Sequence, residues 1–246
     1  MKLYGLIGYP LGHSFSKKYF TQKFERENLS DCSYELFPIP SIKDLPPLIN
    51  STPILKGFNV TIPYKQQVLE YVTEKSDTVN DIGAANTIKI IENKLIAYNT
   101  DVAGFEKSFV KKLKPFHKKA LVLGTGGSSK AIQFVLNKLG IDCLFVSRSQ
   151  QPSANIINYS MIDEHIMNQH KVIINCTPVG MSPNENKYPQ LPFDFVSKEH
   201  YLFDLVYKPD KTIFLQKGEE KGAIIQNGYE MLVIQAEESW KIWNED

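Results

Sequence analysis

The sequence predicts an α/β fold with mainly parallel sheets, arranged as two domains. Three observations point there. Strand-like and helix-like stretches alternate along the whole chain. A buried-strand run, Ala120-Leu121-Val122-Leu123, leads into a glycine-rich turn and then a helical stretch, the pattern of a parallel βα unit. The helical pattern of residues 105–113 breaks at Lys114-Pro115 just before that run, which sets a domain boundary between Asp101 and Lys119.

Each element has a local reason. Leu3 to Gly8 reads as a first strand, and residues 13–29 as a helix with Tyr19, Phe20 and Phe24 on one face. Tyr34 to Pro38 is a second strand. Residues 57–62 form a third, ended by Pro63, and residues 65–73 look helical. Residues 85–91 and 94–98 read as a hairpin turning at Glu92-Asn93. In the second half the expected strands are residues 120–123, 143–146, 172–174 and 201–205. The expected helices are residues 129–139, 212–217 and 229–243. The expected division is 1–101, joined by a returning segment of about 225–246, and 102–224 between them.

Composition narrows the function classes. The 246 residues include 42% hydrophobic and 22% charged residues, ordinary values for a globular protein able to bury a core. Lys+Arg 28 against Asp+Glu 27 leaves a net charge of +1, with no bulk attraction for nucleic acid or anionic lipid. No apolar run approaches the roughly 20 residues of a membrane span, and the start Met1-Lys2-Leu3-Tyr4-Gly5 has no secretory pattern. Three cysteines and five histidines are scattered without ligand spacing, so no metal site is expected and a reducing, cytoplasmic setting is.

The most informative local motif is Leu123-Gly124-Thr125-Gly126-Gly127-Ser128-Ser129. After a strand and before a helix, Gly124 permits the tight turn and Gly126 lets backbone approach a pyrophosphate, while first-turn N–H groups favour the anion. Ser129 stands where a third glycine is usual, and Gly127 and Ser128 lie between. The bland alternative is a structural βα turn. The next strand ends at Ser147-Arg148-Ser149, where an NAD-type fold carries an acid for the ribose 2′-hydroxyl. A guanidinium flanked by hydroxyls suits a phosphate instead, so the expected cofactor is NADP (NADPH). The alternative for Arg148 is a solvated surface residue.

Further motifs carry a family resemblance. Gly8-Tyr9-Pro10-Leu11-Gly12-His13-Ser14-Phe15-Ser16, Asn59-Val60-Thr61-Ile62-Pro63-Tyr64-Lys65, Gly83-Ala84-Ala85-Asn86-Thr87 and Asn99-Thr100-Asp101-Val102-Ala103-Gly104-Phe105 occur in order. Asn175-Cys176-Thr177-Pro178-Val179-Gly180-Met181, Asp204-Leu205-Val206-Tyr207 and the segment from Gly228 to Ala236 complete the set. Together they resemble shikimate dehydrogenases over almost the whole chain. The resemblance implies an N-terminal substrate domain, a C-terminal Rossmann-like dinucleotide domain and a cleft between them. It implies NADPH-dependent, reversible reduction of 3-dehydroshikimate to shikimate, a step of chorismate and aromatic amino-acid biosynthesis. Two departures stand out. Lys17 replaces a proline after the second serine, and the lysine usual shortly after Arg148 is missing.

What the resemblance implies for single residues is chemically coherent. Lys65 becomes the proton donor to the ring ketone oxygen and Asp101 its orienting carboxylate. Without the resemblance, Lys65 reads as a solvated lysine at a helix start and Asp101 as a helix cap. Ser14, Ser16 and Tyr207 are then placed at the substrate carboxylate, and Asn59, Thr61, Asn86 and Gln235 at the ring hydroxyls. Paired serines also serve as helix caps, which is the alternative for Ser14 and Ser16. Thr177, Leu205 and Gly228 match positions near the nicotinamide, and Asp77 matches a further cofactor-facing position, with a solvated acid as its alternative. Expected partners are the small-molecule substrate only, with the chain as monomer or homodimer. Rival readings are a quinate/shikimate dehydrogenase using NAD, and a non-catalytic dinucleotide sensor. The sensor should lack the lysine or the aspartate, and both are present.

Overall fold

The computed structural model describes residues 1–12, 15–148 and 151–245. Contacts divide the chain into one unit of Met1–Thr100 with residues 236–246, and a second of Asp101–Gln235. Residues 225–235, expected with the first domain, group with the second unit. Their strand pairs there and their helix packs there, as described below.

In the first unit, β1 (Lys2–Gly8) is followed by α1 (Phe15–Arg26), β2 (Cys32–Pro38), α2 (Leu45–Ser51) and β3 (Leu55–Val60). Then come β4 (Glu74–Lys75), α3 (Asp77–Ile82), β5 (Thr87–Ile91) and β6 (Lys94–Tyr98). The sheet order is β2-β1-β3-β5-β6-β4. β1 pairs parallel with β2 and β3, whereas β5 runs antiparallel to both β3 and β6. Period-two alternation gives β1 two apolar faces. Leu3 and Ile7 join a core with Phe58, Val60 and Ile88. Tyr4 and Leu6 join Phe20, Phe24 and Tyr34 from α1 and β2, with Ala236 and Trp243 from the C-terminal helix. Gly57 makes room for that helix. A Cβ there would sit 2.4 Å from Trp243 Nε1, which donates to the Ile88 carbonyl at 2.9 Å.

The second unit runs α4 (Asp101–Phe109), β7 (Lys119–Leu123), α5 (Gly127–Lys138), β8 (Asp142–Val146), β9 (Ile156–Ile157) and α6 (Glu164–Gln169). It continues with β10 (Val172–Asn175), β11 (Tyr201–Asp204), α7 (Ile213–Glu220) and β12 (Ile224–Gln226), and then α8 (Tyr229–Asn244). The order β12-β11-β10-β7-β8-β9 is parallel throughout, the doubly wound arrangement in which the strand order reverses between β7 and β10. Ala120 and Val122 pack with Phe105, Phe109 and the α5 stripe Ile132, Val135 and Leu136. Leu121 and Leu123 face the other way, onto Met167, Phe214 and Leu215. Both faces are therefore covered, as a parallel sheet requires.

Several boundaries differ from those expected. Residues 65–73 form a turn and a single 3₁₀ turn at Gln67–Glu70 rather than a helix. α4 spans Asp101–Phe109 rather than 105–113, because it starts directly on Asp101, an acid suited to a helix N-terminus. Six short elements were not expected, the two-residue strands β4 and β9 among them. α2 hides behind Pro46-Pro47, tolerated because they lie in its first turn. α3 is capped by Ser76, which accepts from Val79 N–H at 3.4 Å, and α6 by Asp163, which accepts from Ile166 N–H at 2.9 Å. β12 is three residues long.

Candidate active site

In the first unit the motifs meet at the carboxyl ends of β1 and β3, where β5 begins. Register pairs Asn59 with Leu6 on one side and Thr87 on the other. Beyond β3, Thr61 N–H donates to the Ile7 carbonyl at 3.0 Å, and its methyl lies 2.4 Å from where a Cβ on Gly8 would stand. Only glycine fits position 8, and so the first motif packs against the second. Lys65 is half-buried in the turn that follows, and its carbonyl accepts from Ala85 N–H at 2.7 Å, which ties it to the Gly83–Thr87 segment. Gly83 ends α3 in the left-handed region at φ 67°, which frees the chain to turn into that segment.

Beneath this rim lies a buried polar network. Asn86 Nδ2 donates to Thr100 Oγ1 at 2.9 Å, and Asn86 Oδ1 accepts from Thr100 N–H at 2.7 Å. Asn59 Nδ2 donates to the Asn86 carbonyl, to Thr87 Oγ1 and to Ser239 Oγ, while its Oδ1 accepts from Tyr34 O–H at 2.8 Å. Asn59 is only 5% exposed. Both ends of its amide are thus committed inside the protein. Asn59, expected at the ring hydroxyls, holds the rim together through this network. Ser16, second in α1, is half-buried and hydrogen-bonds with the Tyr34 phenol. Tyr34, Thr87 and Ser239 were missed by sequence reasoning. Tyr34 reads there as one more strand aromatic, and Ser239 as one polar residue of a long helix.

Asp77 is exposed in the first turn of α3, where the helix dipole accounts for a carboxylate. Ser14 and Ser149 lie outside the described residues.

In the second unit Asp101 is the first residue of α4 and only 6% exposed. Gln235, 8% exposed on α8, donates to the Leu232 carbonyl at 3.0 Å. α4 and α8 approach closely because Gly104 has no side chain. A Cβ there would lie 2.6 Å from the Met231 carbonyl.

The glycine turn sits at the point of strand-order reversal. Gly124, at φ 102°, donates its N–H to the Val146 carbonyl at 2.9 Å. Its α-carbon faces the loop after β10, where a Cβ would meet the Thr177 methyl at 3.0 Å. Gly126 caps α5 in extended backbone, and a Cβ on it would meet nothing within 4 Å, leaving open space over the turn. Gly127 and Ser128 open the helix. Ser129 is different. Its Oγ donates to the Gly126 carbonyl at 2.6 Å and its N–H to the same oxygen at 3.1 Å, so this residue closes the turn rather than facing a ligand.

Just beyond β8 come buried Ser147 and exposed Arg148, with no acid there. The Thr177 hydroxyl donates to Asn175 Oδ1 at 2.6 Å, and Asn175 Nδ2 donates to Asp204 at 2.9 Å. Asp204 also accepts from Thr212 Oγ1 at 2.6 Å and from Val206 N–H at 3.0 Å. This network fixes the loops after β10 and β11 from below. Burial, opposed by these donors, pushes the Asp204 carboxyl up to about 7. The Leu205 carbonyl lies 2.2 Å from where a Cβ on Gly228 would stand, so these two candidates are brought together by a backbone approach that only glycine allows. Tyr207 is half-buried in the loop beyond Leu205. Among the described residues no group of acids, cysteines and histidines is arranged for a metal ion.

A glycine turn at the switch point of a doubly wound parallel sheet defines a Rossmann-like dinucleotide-binding unit, here joined to a second α/β unit with its own polar rim. Comparison with known proteins identifies the group. Residues 6–88 match the shikimate dehydrogenase substrate binding domain. A shikimate dehydrogenase (NADP(+)) from Ignicoccus hospitalis is 36% identical over 247 residues, covering 98% of this chain and 92% of its own. The crystal structure of shikimate dehydrogenase from Aquifex aeolicus superposes with a TM-score of 0.88 at 32% identity, covering 100% of this chain and 93% of that one. The Thermus thermophilus enzyme in complex with NADP(H) and shikimate gives 0.87 at 28% identity, covering 99% and 94%. The chain belongs to the shikimate dehydrogenase family.

Proposed function

We propose that this protein catalyses the NADP-dependent, reversible reduction of 3-dehydroshikimate to shikimate, in aromatic amino-acid biosynthesis. One observation carries the reading. A chain similar along nearly its whole length to enzymes of that name keeps both Lys65 and Asp101, and joins them to a dinucleotide turn with an arginine at the next strand end.

The second unit's residues fit a phosphorylated dinucleotide. The open space over Gly126 admits a pyrophosphate close to backbone, and Gly127 and Ser128 supply first-turn N–H groups. Ser147 and Arg148 offer a hydroxyl and a guanidinium where an acid would repel a 2′-phosphate. Thr177, Leu205 and Gly228 shape the end nearer the switch point. When bound, the cofactor supplies the hydride.

The chain's own residues handle the proton and the ring. Lys65 donates a proton to the ketone oxygen in the reductive direction and takes it back in the other. Asp101 accepts from the substrate hydroxyl and orients the ammonium. Ser14, Ser16 and Tyr207 hold the substrate carboxylate by hydroxyl donors. Thr61, Asn86 and Gln235 bond the ring hydroxyls, and Asn59 positions Asn86. Such a site rejects deoxy analogues, whose binding leaves buried polar groups unpaired. The first unit thus acts as the substrate domain and the second as the cofactor domain, in a cytoplasmic enzyme. No described helix is long and apolar enough to cross a membrane.

The test is a spectrophotometric assay of shikimate oxidation with NADP and with NAD, and of quinate with each. Reduction of NADP by shikimate, faster than any other pairing, is expected. Quinate oxidation with NAD as the better pairing supports the rival enzyme reading and rejects this one.

A further inference from the structure

A hollow of about 460 Å³ opens in the second unit, lined by Arg148, Tyr159, Thr177, Lys187 and Tyr188 among others. That volume lies in the range of small-molecule sites. The hollow lies beside the glycine turn. Arg148 lies two positions beyond Val146, whose carbonyl holds Gly124, and Thr177 abuts Gly124 from the other side. Among the described residues no acid lines it. Lys187 comes from the loop after β10, 39 positions beyond Arg148 in the chain. That loop is closed on itself. Lys187 N–H donates to the Asn184 carbonyl at 3.1 Å, and the Lys187 carbonyl lies 3.2 Å from where a Cβ on Gly180 would stand.

The charged residues that line this hollow are all cations. Several other cations of this unit are paired: Lys138 with Glu106, Lys171 with Glu199, Lys211 with Glu219 and Lys221 with Asp194. Among the described residues, neither Arg148 nor Lys187 has a carboxylate within ion-pair distance. The walls suit a planar base. Tyr188 is steadied by Lys217, whose Nζ stands 4.8 Å from its ring centroid. Tyr159 is close enough to Arg148 that the guanidinium charge acts on its phenol, against a larger opposing effect of burial.

We propose that Lys187 is the second cation of the dinucleotide's 2′-phosphate site, joining Arg148 across the hollow and replacing in space the lysine that the strand-end sequence Ser147–Pro152 lacks. The proposal rests on the functional reading above and deepens it. A phosphate monoester carries close to two negative charges at neutral pH, and two cations without carboxylate partners match it where one arginine alone does not.

The decisive experiment is calorimetric titration of the intact protein with adenosine 2′,5′-bisphosphate and with adenosine 5′-monophosphate, which lacks the 2′-phosphate. Wild type should bind the bisphosphate at least about tenfold more tightly, as expected of charge-assisted bonds. Lys187→Met should lose about tenfold for the bisphosphate and nothing for the monophosphate, and Lys187→Arg should restore most of the loss. Lys138→Met, which removes a cation that pairs with Glu106 and does not line the hollow, should leave both affinities unchanged. Unchanged bisphosphate affinity in Lys187→Met, with the loss confined to Arg148→Met, overturns the role of Lys187 and leaves the functional reading standing. Equal binding of both fragments by wild type overturns the 2′-phosphate site itself, whereas failure to oxidise shikimate in the assay above is what removes the reading beneath it.

Discussion

At the residue scale, the chemistry rests on side chains whose surroundings differ sharply. Lys65 sits half-buried in a turn, tied through its carbonyl to Ala85, whereas Asp101 is buried at the head of α4. Replacing the Lys65 side chain leaves the backbone bond in place. Lys65→Ala should therefore lower kcat by about 10²–10⁴-fold, the usual worth of positioned acid–base catalysis, with Tm within a degree or two of wild type. Near-normal turnover in the folded variant would remove Lys65 from the mechanism. Gly228→Ala is the converse case. Its Cβ would meet the Leu205 carbonyl at 2.2 Å, and backbone cannot yield as a flexible side chain can. A loss of about 1–3 kcal/mol in denaturant unfolding is expected, and unchanged stability would contradict the close approach. Much of this scale was legible in advance, because motifs put Lys65, Asn86, Asp101 and Arg148 in recognisable company. Asn59 and Ser129 were not legible as they are. An amide or a hydroxyl bonds whatever the fold brings near, and here that is Tyr34, Thr87 and Ser239 for one and the Gly126 carbonyl for the other.

At the element scale, agreement follows the length and regularity of the pattern. α5 shows a helical stripe and β7 an unbroken apolar run, and both were found with ends shifted by two residues or fewer. α3 and α6 are six residues each, too short for a period to emerge, and only their caps Ser76 and Asp163 betray them. The β5–β6 hairpin turns where expected, with Glu92 at φ 48° and Asn93 at φ 66°, both in the left-handed region. Asparagine tolerates that region better than glutamate does. Glu92→Asn should therefore stabilise the protein by about 0.5 kcal/mol, read as a small rise in denaturation midpoint at unchanged slope. A fall in midpoint would mean that Glu92 makes a compensating interaction.

At the scale of the whole molecule, stability depends on pH through groups buried in the second unit. His117 and His200 each accept a backbone N–H at Nδ1, from Lys114 and Ser197 at 3.0 Å, and place Nε2 against a carbonyl. A proton added at Nδ1 breaks the accepted bond. Burial lowers the pKa of both rings, and of His170, below the ordinary histidine range. Below about pH 6.5 the unfolded rings take up protons that the folded ones refuse, so stability falls as pH falls. Asp204 has the opposite sign. Its folded pKa of about 7 exceeds the unfolded value of 3.8, so its contribution is full at low pH and is lost as pH rises to about 7. The two effects therefore oppose each other on the acid side, and Asp204 alone contributes a slope of up to ~1.4 kcal/mol per pH unit between about pH 4 and about pH 7, with stability falling as pH rises. Asp204→Asn should remove that slope, so that stability rises more steeply with pH across this window than in wild type, and an unaltered pH dependence in that variant would refute the assignment.

The alternation of strand and helix, the glycine turn and the ordered motifs lie in residues close together in the chain. Short-range periodicity and turn chemistry encode them directly, and so the sequence by itself determined the fold class, the family and the main chemical candidates. The folded structure decided what depends on partners distant in the chain. It paired β5 antiparallel with β3, placed residues 225–235 with the second unit, and brought Lys187 to the hollow that Arg148 lines. These outcomes follow from which surfaces can be buried together once every strand has a neighbour, a condition that no local stretch of sequence carries.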